Sequence, residues 1–314
     1  MPYSPAWSCG IRITSRDYRV DTAVFVEFIY PGSKVLMKGV FHNEYMGSGK
    51  GEAGQGITLL GCPLDATSSF RGGTKFAPES IRKASWTLET YSPYLGLDLD
   101  DIMFRDAGDL ELPNGDLNGS LEIIERAVAD ITENREKPLL FGGEHLVTYP
   151  VMKSMIKRFP ALQVVHFDAH CDLRDEYEGQ ELSHATVMKL VRQLGVSEMF
   201  QIGIRSGTKQ EFAQLNPVGS PAILAQRLNR DAPVYVSFDL DVFDPSLAPG
   251  VTTPEPGGLT FREVMEYFNA LKGMNIAGAD VVELAPDYDA TFVSSVCASK
   301  VVREIIMLLH SGIK

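Results

Sequence analysis

The sequence predicts an α/β protein: a parallel sheet with helices covering both faces. Three observations carry this. From about Ile57 onward, short apolar β-type runs alternate with segments of helical periodicity. Most of the runs are nearly continuous in Val, Ile, Leu and Phe, as strands buried on both faces require. A chain of 314 residues, 44% hydrophobic and 22% charged, has the composition of a globular protein with a substantial core. Disordered, collagenous and fibrous classes are thereby excluded.

Residues 1–50 stand outside this rhythm. They hold two β-like runs, Val20–Tyr30 and Lys34–Val40, around Pro31-Gly32, which predicts a β-hairpin, and the glycine-rich stretch from Gly47 to Gly56 reads as a flexible connection. The sheet then begins with Ile57–Gly61, and Pro78–Glu89 has the first helical pattern. Strand Ile102–Arg105 precedes helix Leu117–Glu133, strand Pro138–Phe141 precedes helix His145–Arg158, and strand Gln163–Asp168 precedes helix His184–Leu194. Strands Met199–Ile204, Val234–Asp239 and Ala277–Val282 follow, with helices Thr260–Leu271 and Thr291–Leu309. Thr260 is placed to cap its helix, and Glu263 three residues later completes a capping box. No internal repeat or low-complexity tract interrupts the pattern.

Charge and cysteine usage narrow the function classes. Twenty-nine Lys and Arg against 41 Asp and Glu give a net charge of −12, which argues against a nucleic-acid surface and is compatible with a cationic ligand. No uncharged apolar run approaches the roughly 20 residues of a membrane span. The most apolar early stretch, Ala23–Tyr30, carries Glu27 and lacks the flanks of a signal peptide. Cys9, Cys62, Cys171 and Cys297 form no CxxC pair and are too sparse for a disulfide framework, so reduced thiols and a cytoplasmic location are expected.

The acidic residues concentrate with histidine in three segments: Gly142-Gly-Glu-His145, Asp168-Ala-His-Cys-Asp172, and Ser237-Phe-Asp-Leu-Asp241 running on to Asp244-Pro245. Each begins at or just after the carboxyl end of a predicted strand, where open α/β sheets place their ligand sites. In an extended segment, residues i and i+2 point the same way, so Asp168, His170 and Asp172 are expected to face one point, and Asp239 and Asp241 likewise. With His145 this makes four carboxylates and two imidazoles. Charged groups at the ends of buried strands need pairing or a metal to offset desolvation. Four carboxylates are neutralised by two divalent ions, and a mixed oxygen and imidazole set without thiolate suits Mn²⁺, with Zn²⁺, Fe²⁺ or Co²⁺ as alternatives. Six ligands exceed the needs of one catalytic ion and suit two about 3.5–4 Å apart, an arrangement that activates water as a nucleophile at neutral pH. Cys171 has the wrong parity for a ligand and reads as a packed residue. His166 shares the ligand parity but lies deeper in its strand and reads as a hydrogen-bonded core histidine.

These motifs, with Ser183-His184 and Thr252-Thr-Pro-Glu-Pro-Gly-Gly258, resemble the ureohydrolases, the family of arginase and agmatinase, in family order from about His42 to the C-terminus. The resemblance implies a three-layer α/β/α fold with a central, mostly parallel, eight-stranded sheet and two Mn²⁺ per chain. One ion would be held by His145, Asp168, Asp172 and Asp239, the other by Asp168, His170, Asp239 and Asp241, with Asp168 and Asp239 bridging. It also implies that Glu283, in Asp280-Val-Val-Glu283, pairs with the substrate guanidinium, and that His184 moves a proton to the leaving amine. Imidazole, which titrates near neutrality, suits that role. Residues 42–314 would form the catalytic domain and residues 1–41 an N-terminal extension. A homo-trimer or homo-hexamer is implied as well.

Within the family, the segment Asp172–His184 resembles agmatinases, as do Cys62–Arg71, Gly203–Ser206 and Pro286–Asp289. Its Asp175, Glu176, Glu178 and Glu181 are opposed by Arg174 alone, so a substrate ammonium would be welcome and a carboxylate repelled. Asp175, Glu176 and Thr253 thus join Glu283 as expected substrate-binding residues. The expected reaction is hydrolysis of agmatine to putrescine and urea. Guanidinobutyrase, guanidine hydrolase, arginase and formiminoglutamase are the rival specificities, and a substrate carboxylate would need Arg174 or Arg205 as its anchor. A mononuclear zinc deacetylase of the same fold and a non-catalytic binding protein are the alternatives from other classes, disfavoured by the complete ligand set.

Overall fold

The computed structural model describes residues 44–49 and 56–312, and a short strand pairing nearer the N-terminus. The chain divides into two units, Met1–Asn43 and Glu44–Lys314. In the first, Arg12–Ile13 pairs antiparallel with Val26–Glu27. The hairpin expected around Pro31-Gly32, and most of the Gly47 to Gly56 connection, lie outside the described residues.

The second unit is built on seven strands: β1 (Ile57–Gly61), β2 (Phe104–Asp109), β3 (Lys137–Phe141), β4 (Gln163–Phe167), β5 (Glu198–Ile202), β6 (Val234–Asp239) and β7 (Ile276–Val282). They lie in the order β2-β1-β3-β7-β6-β4-β5, and every pairing is parallel. Eight helices accompany them among the described residues: α1 (Ala77–Ser85), α2 (Leu117–Glu133), α3 (Thr148–Arg158), α4 (Val187–Gln193), α5 (Lys209–Phe212), α6 (Pro221–Arg227), α7 (Phe261–Leu271) and α8 (Val293–Ser311). The sheet separates two apolar cores. Leu139 and Phe141 of β3 pack with α1, α7 and α8 on one side, and Leu140 packs with α2, α3 and α4 on the other. This is the three-layer α/β/α arrangement, and strands buried on both faces explain the unbroken apolar runs. No helix among the described residues is long and apolar enough to cross a membrane.

Two departures from expectation have local causes. Among the described residues the sheet has seven strands rather than eight, because beyond β5 the chain makes a single parallel bridge, Gln201 to Pro217. That bridge is made by Asn216 O and Val218 N on either side of Pro217, so the N–H that proline lacks is not needed at this outer edge. Strand β2 extends to Asp109 instead of ending at Arg105. It is an edge strand whose polar residues escape an apolar-run criterion, and Arg82 of α1 holds Asp106 through Nε at 2.7 Å. The capping box of α7 forms as expected, with the Thr260 hydroxyl accepting from Glu263 N at 3.3 Å and Glu263 accepting from Thr260 N at 2.8 Å.

Candidate metal centre and catalytic pocket

The strand order brings the three acidic motifs together. His145 follows β3, Asp168 follows β4 and Asp239 ends β6, and with β7 these strands form the contiguous centre of the sheet. The order also reverses here, since the chain skips two places from β3 to β4 and later returns to fill them, leaving a crevice at the carboxyl ends.

Each ligand-bearing turn is fixed by its own chemistry. Gly142 and Gly143, with φ of 83° and 81°, carry the chain out of β3, and a side chain on either would strike Pro78 or the Cys62 carbonyl. The turn delivers His145 to the 3₁₀ turn, His145–Val147, that leads into α3. After β4 the segment is not the extended run expected. Asp168 Oδ1 accepts from His170 N at 2.5 Å, and Asp172 has a φ of 53°. After β6, Asp239 Oδ1 accepts from Asp241 N at 2.8 Å across a single 3₁₀ turn. The acids converge through Asx-type turns and one strained residue, not through strand alternation.

The resulting cluster has two halves sharing Asp168. His145 Nδ1 lies 3.1 Å from Asp168 Oδ2, 3.1 Å from Asp172 Oδ2 and 3.2 Å from Asp239 Oδ2, yet it makes no hydrogen bond, although it is buried. His170 Nδ1 lies 2.8 Å from Asp241 Oδ2 and 3.6 Å from Asp168 Oδ1. A ring nitrogen ringed by carboxylate oxygens and bonded to none is the arrangement that a shared cation organises. Electrostatics agree. Burial, then the Asp241 and Asp168 carboxylates, push the Asp239 carboxyl well above its ordinary value, and Asp241 is raised by burial and Asp168. Against burial, His166 and its neighbouring histidines hold Asp168 well below. Against burial again, Asp241 and Asp168 drive His170 up to about 12. The pocket thus concentrates more negative charge than its dry surroundings sustain, a demand that divalent cations meet. The residues present fit a metal centre. His166, expected as a hydrogen-bonded core residue, is fully buried and bonds Asp168 Oδ2 through Nε2 at 2.8 Å.

A cavity of about 300 Å³ opens over the cluster, lined by His170, Asp172 and Asp239 at its floor and by Glu283, Thr253, His184, Tyr177 and Arg174 around it. Glu283 is buried, and its backbone is left-handed at φ 67°. Its Oε1 accepts from His145 N at 2.5 Å, and its other oxygen accepts from the Thr252 hydroxyl. Burial pushes the Glu283 carboxyl up to about 8, against the Thr252 hydrogen bond and with the Glu144 carboxylate adding to the rise. Thr253 lies 3.4 Å from Asp241 Oδ2. His184 is held by the Thr67 hydroxyl, 3.3 Å from Nδ1, and by Ser69, 3.4 Å from Nε2. Asp175 and Glu176 do not line the cavity, and Asp175 pairs with Lys189, a cation fourteen positions along the chain that the local reading of the loop passed over.

Several contributors had no expected role. Glu144, beside His145, accepts from Ala66 N, Thr67 N and the Thr67 hydroxyl at 2.7–2.8 Å and so fixes the loop that meets His184. Tyr177 stacks edge-on to His184, with ring centres 5.5 Å apart. Only the position of Glu144 inside the Gly-Gly-Glu-His motif marked it in the sequence.

A three-layer α/β sheet carrying a buried His and Asp cluster at its carboxyl ends, beneath a pocket with a further buried carboxylate, defines a metal-dependent hydrolase. The model of the Arginase family matches residues 55–308, and the chain belongs to that family. It is an enzyme acting on the C–N bonds of linear amidines. It is 42% identical over 265 residues to the agmatinase of Bacillus cereus, covering 80% of this chain and 91% of that one. With the agmatinase of Bacillus subtilis it shares 43% over 263 residues, covering 79% and 90%. The crystal structure of the agmatine ureohydrolase of Thermoplasma volcanium superposes with a TM-score of 0.77 at 30% identity, covering 86% of this chain and 94% of the other.

Proposed function

We propose that the enzyme hydrolyses agmatine to putrescine and urea, a polyamine-forming step, with two Mn²⁺ per chain. The observation that carries this is the pairing, in one cavity of about 300 Å³, of the His and Asp cluster with the buried Glu283 carboxylate beside it. Two ions there would be held by His145, Asp168, Asp172 and Asp239 and by Asp168, His170, Asp239 and Asp241, and their chemistry is to neutralise the carboxylates and make water nucleophilic at neutral pH. The protein's own groups do the rest. Glu283 pairs with the guanidinium and holds its planar carbon over the cluster, aided by Thr253 at the rim. His184, lining the cavity within reach of Thr67 and Ser69, passes a proton to the departing amine, so that the C–N bond breaks to give urea and a neutral amine that takes up a proton in water.

The distal pocket supports an ammonium rather than a carboxylate at the far end of the substrate. Arg205, one of the two candidate anchors, spends its guanidinium on the carbonyls of Gly203, Asp241, Val242, Phe243, Glu255 and Pro256. Arg174, the other, lies over the Tyr177 ring at 4.7 Å, with its Nε 3.7 Å from Glu211. The relatives named as agmatinases point the same way, and a homo-trimeric or homo-hexameric assembly belongs to the same reading. The test is urea release by the Mn²⁺-loaded enzyme from agmatine, arginine, 4-guanidinobutyrate, guanidine and formiminoglutamate. Agmatine is expected to give the highest kcat/KM, and preference for a carboxylate-bearing substrate overturns the assignment.

A further inference from the structure

A buried acid on β7 bears on the metal centre without touching it. Asp280 is fully buried in the middle of the sheet, directly opposite Ser237 of β6. Three hydroxyls reach its carboxylate: Ser237 Oγ to Oδ1 at 2.8 Å, Thr148 Oγ1 to Oδ2 at 2.9 Å and Tyr235 OH to Oδ2 at 2.7 Å. A carboxylate only accepts, so each hydroxyl spends its single proton on Asp280. Ser237 Oγ then has only lone pairs left for His145 Nε2, which lies 3.0 Å away. That nitrogen must therefore carry the ring proton. A neutral imidazole protonated at Nε2 presents a bare lone pair at Nδ1. Nδ1 is the atom that faces Asp168, Asp172 and Asp239 at 3.1–3.2 Å with no hydrogen bond, a set of lone pairs reconciled by a cation.

We propose that Asp280, acting through Ser237, is the positioning residue that fixes the tautomer and orientation of His145, so that Nδ1 is offered to one of the two ions. The inference rests on the reading of His145 as a metal ligand. Thr148 and Tyr235 both donate to Oδ2 of Asp280, which leaves Oδ1 to accept from the serine hydroxyl. His170 takes no part in this chain of bonds, since it faces Asp241, and the ion on its side keeps its ligands.

The test is direct titration of the chelated full-length enzyme with Mn²⁺, counting bound ions and their affinities in the wild type, Ser237→Ala and Asp280→Asn. Ser237→Ala removes the acceptor for Nε2–H. Asp280→Asn keeps the shape but offers an amide donor that turns the serine proton toward His145. Each variant is expected to weaken one ion by about 10–100-fold, the usual scale for loss of an outer partner of a ligand, and to leave the other unchanged. Folded variants that bind both ions as tightly as the wild type overturn the proposal, as does a Ser237→Ala chain that loses both ions together or loses its fold. A wild-type chain that binds no ion overturns instead the parent reading of the metal centre.

Discussion

Removing divalent cations tests the centre through stability as well as rate. Asp168, Asp172, Asp239 and Asp241 are 0%, 7%, 3% and 1% exposed, so their charges meet little water and are opposed locally by the imidazoles of His145, His166 and His170. Two dications match four carboxylates, and folding creates the site that binds them, so bound metal adds directly to folding stability. At a free Mn²⁺ concentration about 100 times Kd, each ion contributes about 2.7 kcal/mol, or about 5 kcal/mol for two. For a domain of this size that corresponds to a rise in Tm of about 10–20 °C. Calorimetry of chelated enzyme with and without added Mn²⁺ reads this directly. Mg²⁺ serves as the control, because imidazole ligands favour Mn²⁺ over it. Equal Tm in chelator and in saturating Mn²⁺ would refute the dinuclear site, and an equal rise with Mg²⁺ would refute its preference for Mn²⁺.

Two further outcomes follow from individual residues. Glu283→Gln keeps an acceptor for His145 N but removes the charge facing the guanidinium, and is expected to lower kcat/KM by about 10–150-fold while leaving metal content intact, as measured by steady-state kinetics and metal analysis. Asp289 caps the start of α8 by accepting from the Ser294 and Thr291 hydroxyls and from Ser294 N at 2.7 Å and Thr291 N at 2.9 Å, and against burial these bonds, the hydroxyls foremost, lower its carboxyl from 3.8 to about 2. Its contribution of roughly 2 kcal/mol is therefore full above pH 4 and is lost as pH falls from 4 toward 2. Denaturant midpoints of the wild type and Asp289→Asn should differ at pH 7 and converge near pH 2, and a gap independent of pH sinks this account.

Much of the fold was legible because a sheet buried on both faces writes itself as apolar runs, and the His and Asp cluster was legible because carboxylates and imidazoles rarely end such runs. The edge strand β2 and the truncated eighth strand were not. Both sit where a strand has at most one neighbour, so polar residues and Pro217 are tolerated and the apolar signal fades. Period-two spacing named residues that do cluster, but by the wrong route, since Asx turns and a left-handed Asp172 bring them together. Asp280 and Tyr235 read as ordinary members of buried strands, and nothing local in the sequence distinguishes a carboxylate that organises a histidine across the sheet from one that is merely tolerated.

The sequence by itself determined which residues could hold metal, because ligand chemistry is a property of side chains, and which segments were strands, because burial on two faces dictates composition. Only the tertiary structure decided that those segments meet. The order β3-β7-β6-β4 makes neighbours of motifs nearly one hundred residues apart, and pairing in register sets Ser237 against Asp280. It also decided the fate of charges, withdrawing Arg205 into backbone carbonyls and Asp175 into an ion pair with Lys189. Whether a charge is free depends on what lies within a few ångströms of it, and that distance is set by folding, not by position along the chain.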